Sequence, residues 1–295
     1  MFDELRSFRG QCTDVAMLVR FSRPSPSSAA RTRTRTASTG SSGTLEIFDA
    51  MQRAIDTGTA YESVLNSVPV TRALTSCEES LNVPRPIPTS IGHFTHIAHL
   101  PTIAAHGLMS DTRTQASGLV TTQAGNLSIK ARRRERPVSA GAGGVVADYV
   151  PFYFKSRSPM LYAIHCGNVP TFSASEYDLV YLLTTVENLI DRGISPVFTD
   201  RNAALTFCKH SDRLSDLDTL VDWEVMAAKM WANTPDDRDR MERRMAECLV
   251  HGTVPWGAFT DIVVHDATRA ARVRADLDRL GVACPPISVR PGSYF

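Results

Sequence analysis

From Ile91 onward the chain predicts an α/β (α+β) domain of mixed strands and helices, preceded by a low-complexity extension. Three observations carry that reading. Short runs with period-two alternation exchange with runs at helical spacing. The aromatic run Tyr149-Val-Pro-Phe-Tyr-Phe154 has the composition of a strand. A strand–helix–strand pattern follows near the C-terminal side, over Ile262–His265, Thr268–Leu280 and Ile287–Arg290. Clear β-α-β crossovers are too few to require a parallel sheet.

Taken in order, residues 1–43 read as a disordered basic tail. Arg23-Pro-Ser-Pro-Ser-Ser28 and Arg31-Thr-Arg-Thr-Arg-Thr36 show no periodicity. Residues 44–88 read as a short helical segment over Leu45–Leu65 and a stiff linker, Pro84-Arg-Pro-Ile-Pro88, so the main domain spans 89–295. Gly92–His96 alternates as a strand, and Leu100–His106 is a helix with Gly107 at its C-cap. Residues 110–147 are polar, Gly-rich and basic, and read as a long loop. Pro151 confines the aromatic strand to an edge, an end or a bulge, and Ser158-Pro159 reads as a turn into a second strand, Met160–His165. Strands at Leu179–Thr184 and Val197–Thr199 flank a short helix near Val186–Arg192. Helices are expected around 202–209, 222–231 and 236–246, then a strand from Cys248.

Composition narrows the function classes. Lys and Arg number 32 against 31 Asp and Glu, so any nucleic-acid surface must be local. The six cysteines are scattered without C-x-x-C spacing, which argues against a zinc site or a disulfide framework and for reduced thiols in the cytoplasm. No apolar run approaches the ~18 residues of a membrane span.

Several stretches invite chemical readings. Gly141-Ala-Gly-Gly-Val-Val146 lacks the third glycine, the preceding strand and the following helix of a dinucleotide loop, and reads as a flexible turn. His93, His96, His99 and His106 are close in sequence, but no carboxylate joins them before Asp111, so no metal is expected. Lys130–Arg136 carries five cations in seven residues, a fit to phosphate or simply a solvated loop. Glu247 falls where a charged helix turns into an apolar strand, between Ala246 and Cys248. A carboxylate there is more often paired or functional than idle.

These pieces together resemble one family. His96 with Leu100-Pro101, Gly125-Asn126, the basic stretch, Gly143-Gly144 and Asp148-Tyr-Val-Pro-Phe-Tyr-Phe154 are similar to successive motifs of the DarT-type DNA ADP-ribosyltransferase toxins. Arg157-Ser-Pro-Met-Leu-Tyr162, Phe198-Thr-Asp200, Asn202-Ala203, Leu217-Asp218, Asp222-Trp223, Arg243, Ala246-Glu247, Val254-Pro255 and Tyr294 continue the match in order over about residues 90–295. The resemblance implies an ADP-ribosyltransferase-like split mixed β-sheet with surrounding helices and NAD⁺ in its cleft. It implies transfer of ADP-ribose to a thymidine base in single-stranded DNA, and a DarG-like macrodomain antitoxin as partner.

Carried over by position, Glu247 is the catalytic glutamate and Arg133 the catalytic arginine, with Arg132 and Arg134 one step away on either side. His96 resembles the ribose-holding histidine and Tyr153 the tyrosine against nicotinamide, with Phe152, Asn126 and Met160 as further NAD⁺ contacts. Arg132, Arg134, Tyr149, Arg157 and Arg243 are the residues expected on nucleic acid. His99 and Asn202 depart from residues that relatives carry at those places. Two alternatives stay open at this level: another acceptor (guanine in DNA, RNA or protein), and a non-enzymatic single-strand-binding module.

Overall fold

A computed structural model describes residues 83–119 and 127–295 of the chain. The tail over 1–43, the helix over Leu45–Leu65 and Asn126 lie outside the described residues. The elements run β1 (Ser90–His96), α1 (Leu100–His106), β2 (Leu108–Met109), α2 (Asp111–Ser117), α3 (Leu127–Glu135), β3 (Tyr149–Tyr153) and α4 (Pro159–His165). They continue with β4 (Leu179–Thr185), α5 (Val186–Asp191), β5 (Val197–Thr199), β6 (His210–Ser211), α6 (Leu217–Leu220), α7 (Trp223–Ala227) and α8 (Arg240–Arg243). Last come β7 (Glu247–His251), β8 (Thr253–Val254), β9 (Asp261–Val264), α9 (Ala267–Leu280) and β10 (Ile287–Val289).

Eight strands form one mixed sheet in the order β10-β9-β4-β1-β3-β7-β5-β6. Among the described strands only β9 and β10 pair in parallel, joined by α9. The sheet is split at its centre. β1 pairs along its whole length with β4, and β3 along its whole length with β7, but β1 meets β3 only at Gly92↔Tyr153. Pro151 explains part of that gap. It stands opposite Leu249 without an N–H to give, so the other side of β3 cannot carry a regular ladder, and His93 Nδ1 donates to Pro151 O at 2.8 Å in place of strand pairing. Pro151 is therefore on an interior strand, at the edge of the split.

Period two then sorts the side chains of β3 and β7. Val150, Phe152, Cys248 and Val250 enter the main apolar core with Ile91, Val180 and Leu182, while Tyr149, Pro151, Tyr153 and Glu247 take the other side.

Several sequence expectations change. Met160–His165 is a helix, because Ser158 is an N-cap whose Oγ accepts from Leu161 N and Pro159 occupies the first turn, where its missing N–H costs nothing. Arg157, at φ 54°, reverses the chain before it. The stretch read as a basic loop holds two helices, α2 and α3. Residues 202–209 are not helical: Asn202 Oδ1 caps Ala204 N and Asp200 Oδ1 accepts from Lys209 N, so side chains hold the turns. Pro84–Pro88, read as a linker, is docked: Arg85 bonds Asp218 at 2.5 Å and Glu187 at 3.0 Å.

Arg244 ties the layers together. It is buried and gives its protons to the carbonyls of Val225 (2.8 Å), Met226 (2.9 Å), Ala228 (3.1 Å) and Ser156 (3.1 Å). Burial lowers its pKa to about 10, so it remains charged at neutral pH. Arg244→Met leaves those carbonyls without their donor at the end of α7. It is expected to cost about 3 kcal/mol or more, read as a lower midpoint in urea unfolding.

Candidate active site

The split between β1 and β3 opens on a cavity of about 300 Å³. Glu247, Tyr153, Arg133 and Met160 line it, together with His93, Phe94, Thr95 and His99 from the first strand and its turn. Glu247 opens β7 directly opposite Tyr153, so the two side chains stand beside one another on the sheet. Its backbone N–H donates to Thr199 Oγ1 at 2.8 Å, and that hydroxyl donates onward to Arg201 O at 2.7 Å. The carboxylate is 1% exposed and meets Arg133, whose Nη1 lies 2.9 Å from one oxygen and 3.0 Å from the other. Arg133 Nη2 is buried without a partner among the described residues, a donor left over for a substrate oxygen.

The ring of Tyr153 is stacked on Phe94 with centroids 6.0 Å apart and planes at 16°. Burial, and then the charge of Glu247, raise the Tyr153 pKa, so its phenol stays protonated. Cys208 feels the same charge: burial, Asp200 and Glu247 push its thiol up to about 12, which removes it as a nucleophile at neutral pH. Among the described residues no group of three or more His, Cys, Asp or Glu is arranged to hold a metal ion. No helix among them is long and apolar enough to cross a membrane.

The expected residues divide sharply. Glu247, Arg133, Tyr153 and Met160 come together in the cavity. His96 does not line it. His96 Nδ1 accepts from Ala98 N, and its ring meets His99 edge-on at 6.0 Å. Three residues apart on a strand, His93 and His96 point to opposite faces, and the one that reaches the cavity is His93. Phe152 is wholly buried in the core beside His93 and Phe259, so it cannot cover nicotinamide.

Of the residues expected on nucleic acid, Tyr149 and Arg243 are taken up within the fold. Tyr149 is 2% exposed, with its hydroxyl donating to Gly143 O, and offers no face to a base. Arg243 is enclosed by Asp222, Asp237 and Asp239 and is a structural cation. Arg157 lies over the Phe295 ring, 4.4 Å from its centroid. Arg134 pairs with Asp111, and Arg132 is exposed. Phe94 and Thr95 escaped the sequence reading, since alternation alone does not say that β1 borders an opening, and His99 entered it only as a clustered histidine and a departure from relatives.

Comparison with known proteins decides the family. The profile of "ssDNA thymidine ADP-ribosyltransferase, DarT" matches residues 92–295. The DNA ADP-ribosyl transferase of Mycobacterium tuberculosis is 33% identical over 215 residues, 72% of this chain and 91% of that one. The chain belongs to the DarT family. The Thermus aquaticus DNA ADP-ribosyl transferase is 33% identical over 211 residues, 71% of this chain and 90% of its own. Among solved structures, Thermus sp. 2.9 DarT with ADP-ribosylated ssDNA superposes with a TM-score of 0.67 at 31% identity, covering 72% of this chain and all of that one. The same protein with NAD⁺ gives 0.63 at 31%, over 71% and 99%. Thermosipho africanus DarTG with ADP-ribose, at 21% identity and a TM-score of 0.57, shares the fold over 70% of this chain and 51% of its own.

His93 supplies a pH test of this DarT cavity. Burial pushes its pKa down from 6.5 to about 4, with the hydrogen bond to Pro151 O opposing and the charges of His99 and Arg133 adding to it. The unfolded chain therefore binds the proton first as pH falls from 6.5 towards 4, and folded stability drops across that window by on the order of 3 kcal/mol. Melting temperature is expected to fall between pH 6.5 and 5, and His93→Gln to flatten that slope. An unchanged slope in the variant would show that the imidazole is not held neutral.

Proposed function

We propose that this DarT-family chain transfers the ADP-ribosyl group of NAD⁺ to a thymidine base of single-stranded DNA, with Glu247 and Arg133 carrying the reaction. The observation behind the assignment is the buried Glu247 carboxylate, held by Arg133 and set beside Tyr153 in the cavity wall. The family profile is that of a thymidine-modifying enzyme, and a 31% identical relative is solved with ADP-ribosylated ssDNA.

The bond that breaks joins ribose C1′ to the nicotinamide nitrogen, and C1′ gains oxocarbenium character as it does. Glu247 holds a ribose hydroxyl and sets a fixed negative charge beside that centre; a preorganised term of this kind supplies on the order of 3 kcal/mol. The Tyr153 phenol stays neutral and its ring, backed by Phe94, offers a flat apolar surface to the leaving nicotinamide. His93, rather than His96, is the first-strand histidine placed to hold the dinucleotide, and its neutral imidazole suits contact with hydroxyls. The new bond forms from C1′ to thymine N3, whose proton departs with help from Glu247 and Arg133. That N–H is engaged in base pairing in a duplex, so a single strand is the substrate. Nicotinamide and one proton are released.

We also infer a DarG-like macrodomain antitoxin as the partner of this activity in the cytoplasm. The name of the Thermosipho relative supports the pairing.

The deciding experiment is mass spectrometry of a short thymine-containing oligonucleotide after incubation with NAD⁺. One ADP-ribosyl group per acceptor thymine is expected, and label found on RNA or protein alone would reject the DNA reading. Glu247→Gln is expected to lower transfer at least ~100-fold. Arg133→Ala is expected to lose transfer by a similar factor while NAD⁺ affinity, read by calorimetry, stays within about threefold. If Arg132→Ala or Arg134→Ala shows that pattern instead, the role moves to that residue.

A further inference from the structure

Glu247 is the first residue of β7, and its main chain is held from the β5 side. The pairing of β5 with β7 runs through Val197↔Leu249 to Phe198↔Cys248 and stops there. In an antiparallel ladder one residue turns its N–H and C=O to the same neighbour. The Glu247 N–H goes to Thr199 Oγ1 at 2.8 Å, and the Glu247 carbonyl lies 3.3 Å from the same hydroxyl. Both backbone groups therefore face β5, and neither is turned to Tyr153, which stands opposite on β3. Past the last ladder pair, a threonine side chain does what a strand carbonyl would have done. Its single proton goes to the nearer acceptor, Arg201 O at 2.7 Å, which Cys208 Sγ also approaches at 3.7 Å. Thr199 is wholly buried, so a side chain of the same shape without the hydroxyl leaves the Glu247 N–H unsatisfied. The far end of the acid is fixed separately, by Arg133 Nη1 at 2.9 and 3.0 Å from its two oxygens.

We propose that Thr199 is a positioning residue for the transfer reaction: its hydroxyl fixes the main chain of Glu247 and so sets where the carboxylate stands in the cavity. The inference rests on the assignment of Glu247 to catalysis. Valine has the same branched shape but cannot accept the Glu247 N–H, so β7 loses its tie at the residue that carries the acid. A small displacement of a reacting group is costly, because the carboxylate must meet the ribose at contact distance. The expected signature lies in kcat rather than in NAD⁺ binding, since Thr199 does not line the cavity and the walls at Tyr153 and His93 are untouched.

The test is a double-mutant cycle of T199V and E247Q on oligonucleotide transfer. E247Q is measured alone first: transfer at the parent rate would sink the Glu247 assignment itself, apart from anything Thr199 does. T199V is expected to lower kcat about tenfold with KM for NAD⁺ within about threefold. T199S restores the hydroxyl and is expected to hold kcat within about threefold of the parent. In the E247Q background T199V is expected to cost less than about twofold, because Thr199 acts only through the carboxylate. Parent-level kcat in T199V overturns the proposal, and so do equal losses in both backgrounds, which mark a residue that merely supports the fold. Should T199V not fold, T199A enters the same cycle under the same criteria.

Discussion

The ion pair between Arg133 and Glu247 is the constraint on which the rest of the domain turns. A carboxylate with 1% exposure would carry a desolvation penalty of several kcal/mol if left alone, and a single guanidinium nitrogen shared between both oxygens offsets only part of it. The pair is therefore a weak source of stability. Its geometry needs three separate pieces of chain. β7 must begin at Glu247, which Thr199 secures by taking the backbone N–H; α3 must lie across the cavity; and the sheet must part at its centre to leave room for a ligand. Each is arranged by a local rule, and the three meet only in the folded state.

The parting of the sheet follows from residues that would disfavour an ordinary ladder. Pro151 has no N–H to offer β1, and the His93 side chain occupies its carbonyl. Beside the split, a Cβ on Gly92, the β1 residue that pairs with Tyr153, would come 2.7 Å from Leu183 Cδ2 on β4, so a side chain there would have to displace that leucine tip. The cavity thus has an unpaired strand edge along its side. Conventional packing resumes on the far face, where Phe152, Val150 and Cys248 join the common core.

Much of this was legible in the chain before its coordinates. The strand of alternating residues ending at His96, the helix stopped by Gly107, and the helix-to-strand junction at Glu247 all follow from period, capping and composition, and they stand where expected. What could not be read depends on partners distant in sequence. Phe152 and Tyr149 look like binding aromatics until the register of β3 against β7 buries the one and ties down the other. Arg243 looks like a phosphate contact until Asp222 and Asp237 fold against it. The exception is α4. Ser158-Pro159 is a helix start by any capping rule, and reading it as a turn overlooked a signal that was present.

The fate of the arginines bears on how a strand of DNA is held. A protein that depends on phosphate contacts keeps many cations free and binds with a steep salt dependence. Here Arg201, Arg243 and Arg269 are each held by two or more carboxylates, Arg244 is spent on carbonyls, and Arg134 is engaged by Asp111. Beside the cavity, Arg113 on α2 and Arg132 and Arg134 on α3 are exposed, Arg134 while paired with Asp111. For an acceptor base that reacts at a pairing nitrogen, leaving the stack costs least in a single strand, so the energy of unpairing favours single-stranded DNA whatever these cations contribute.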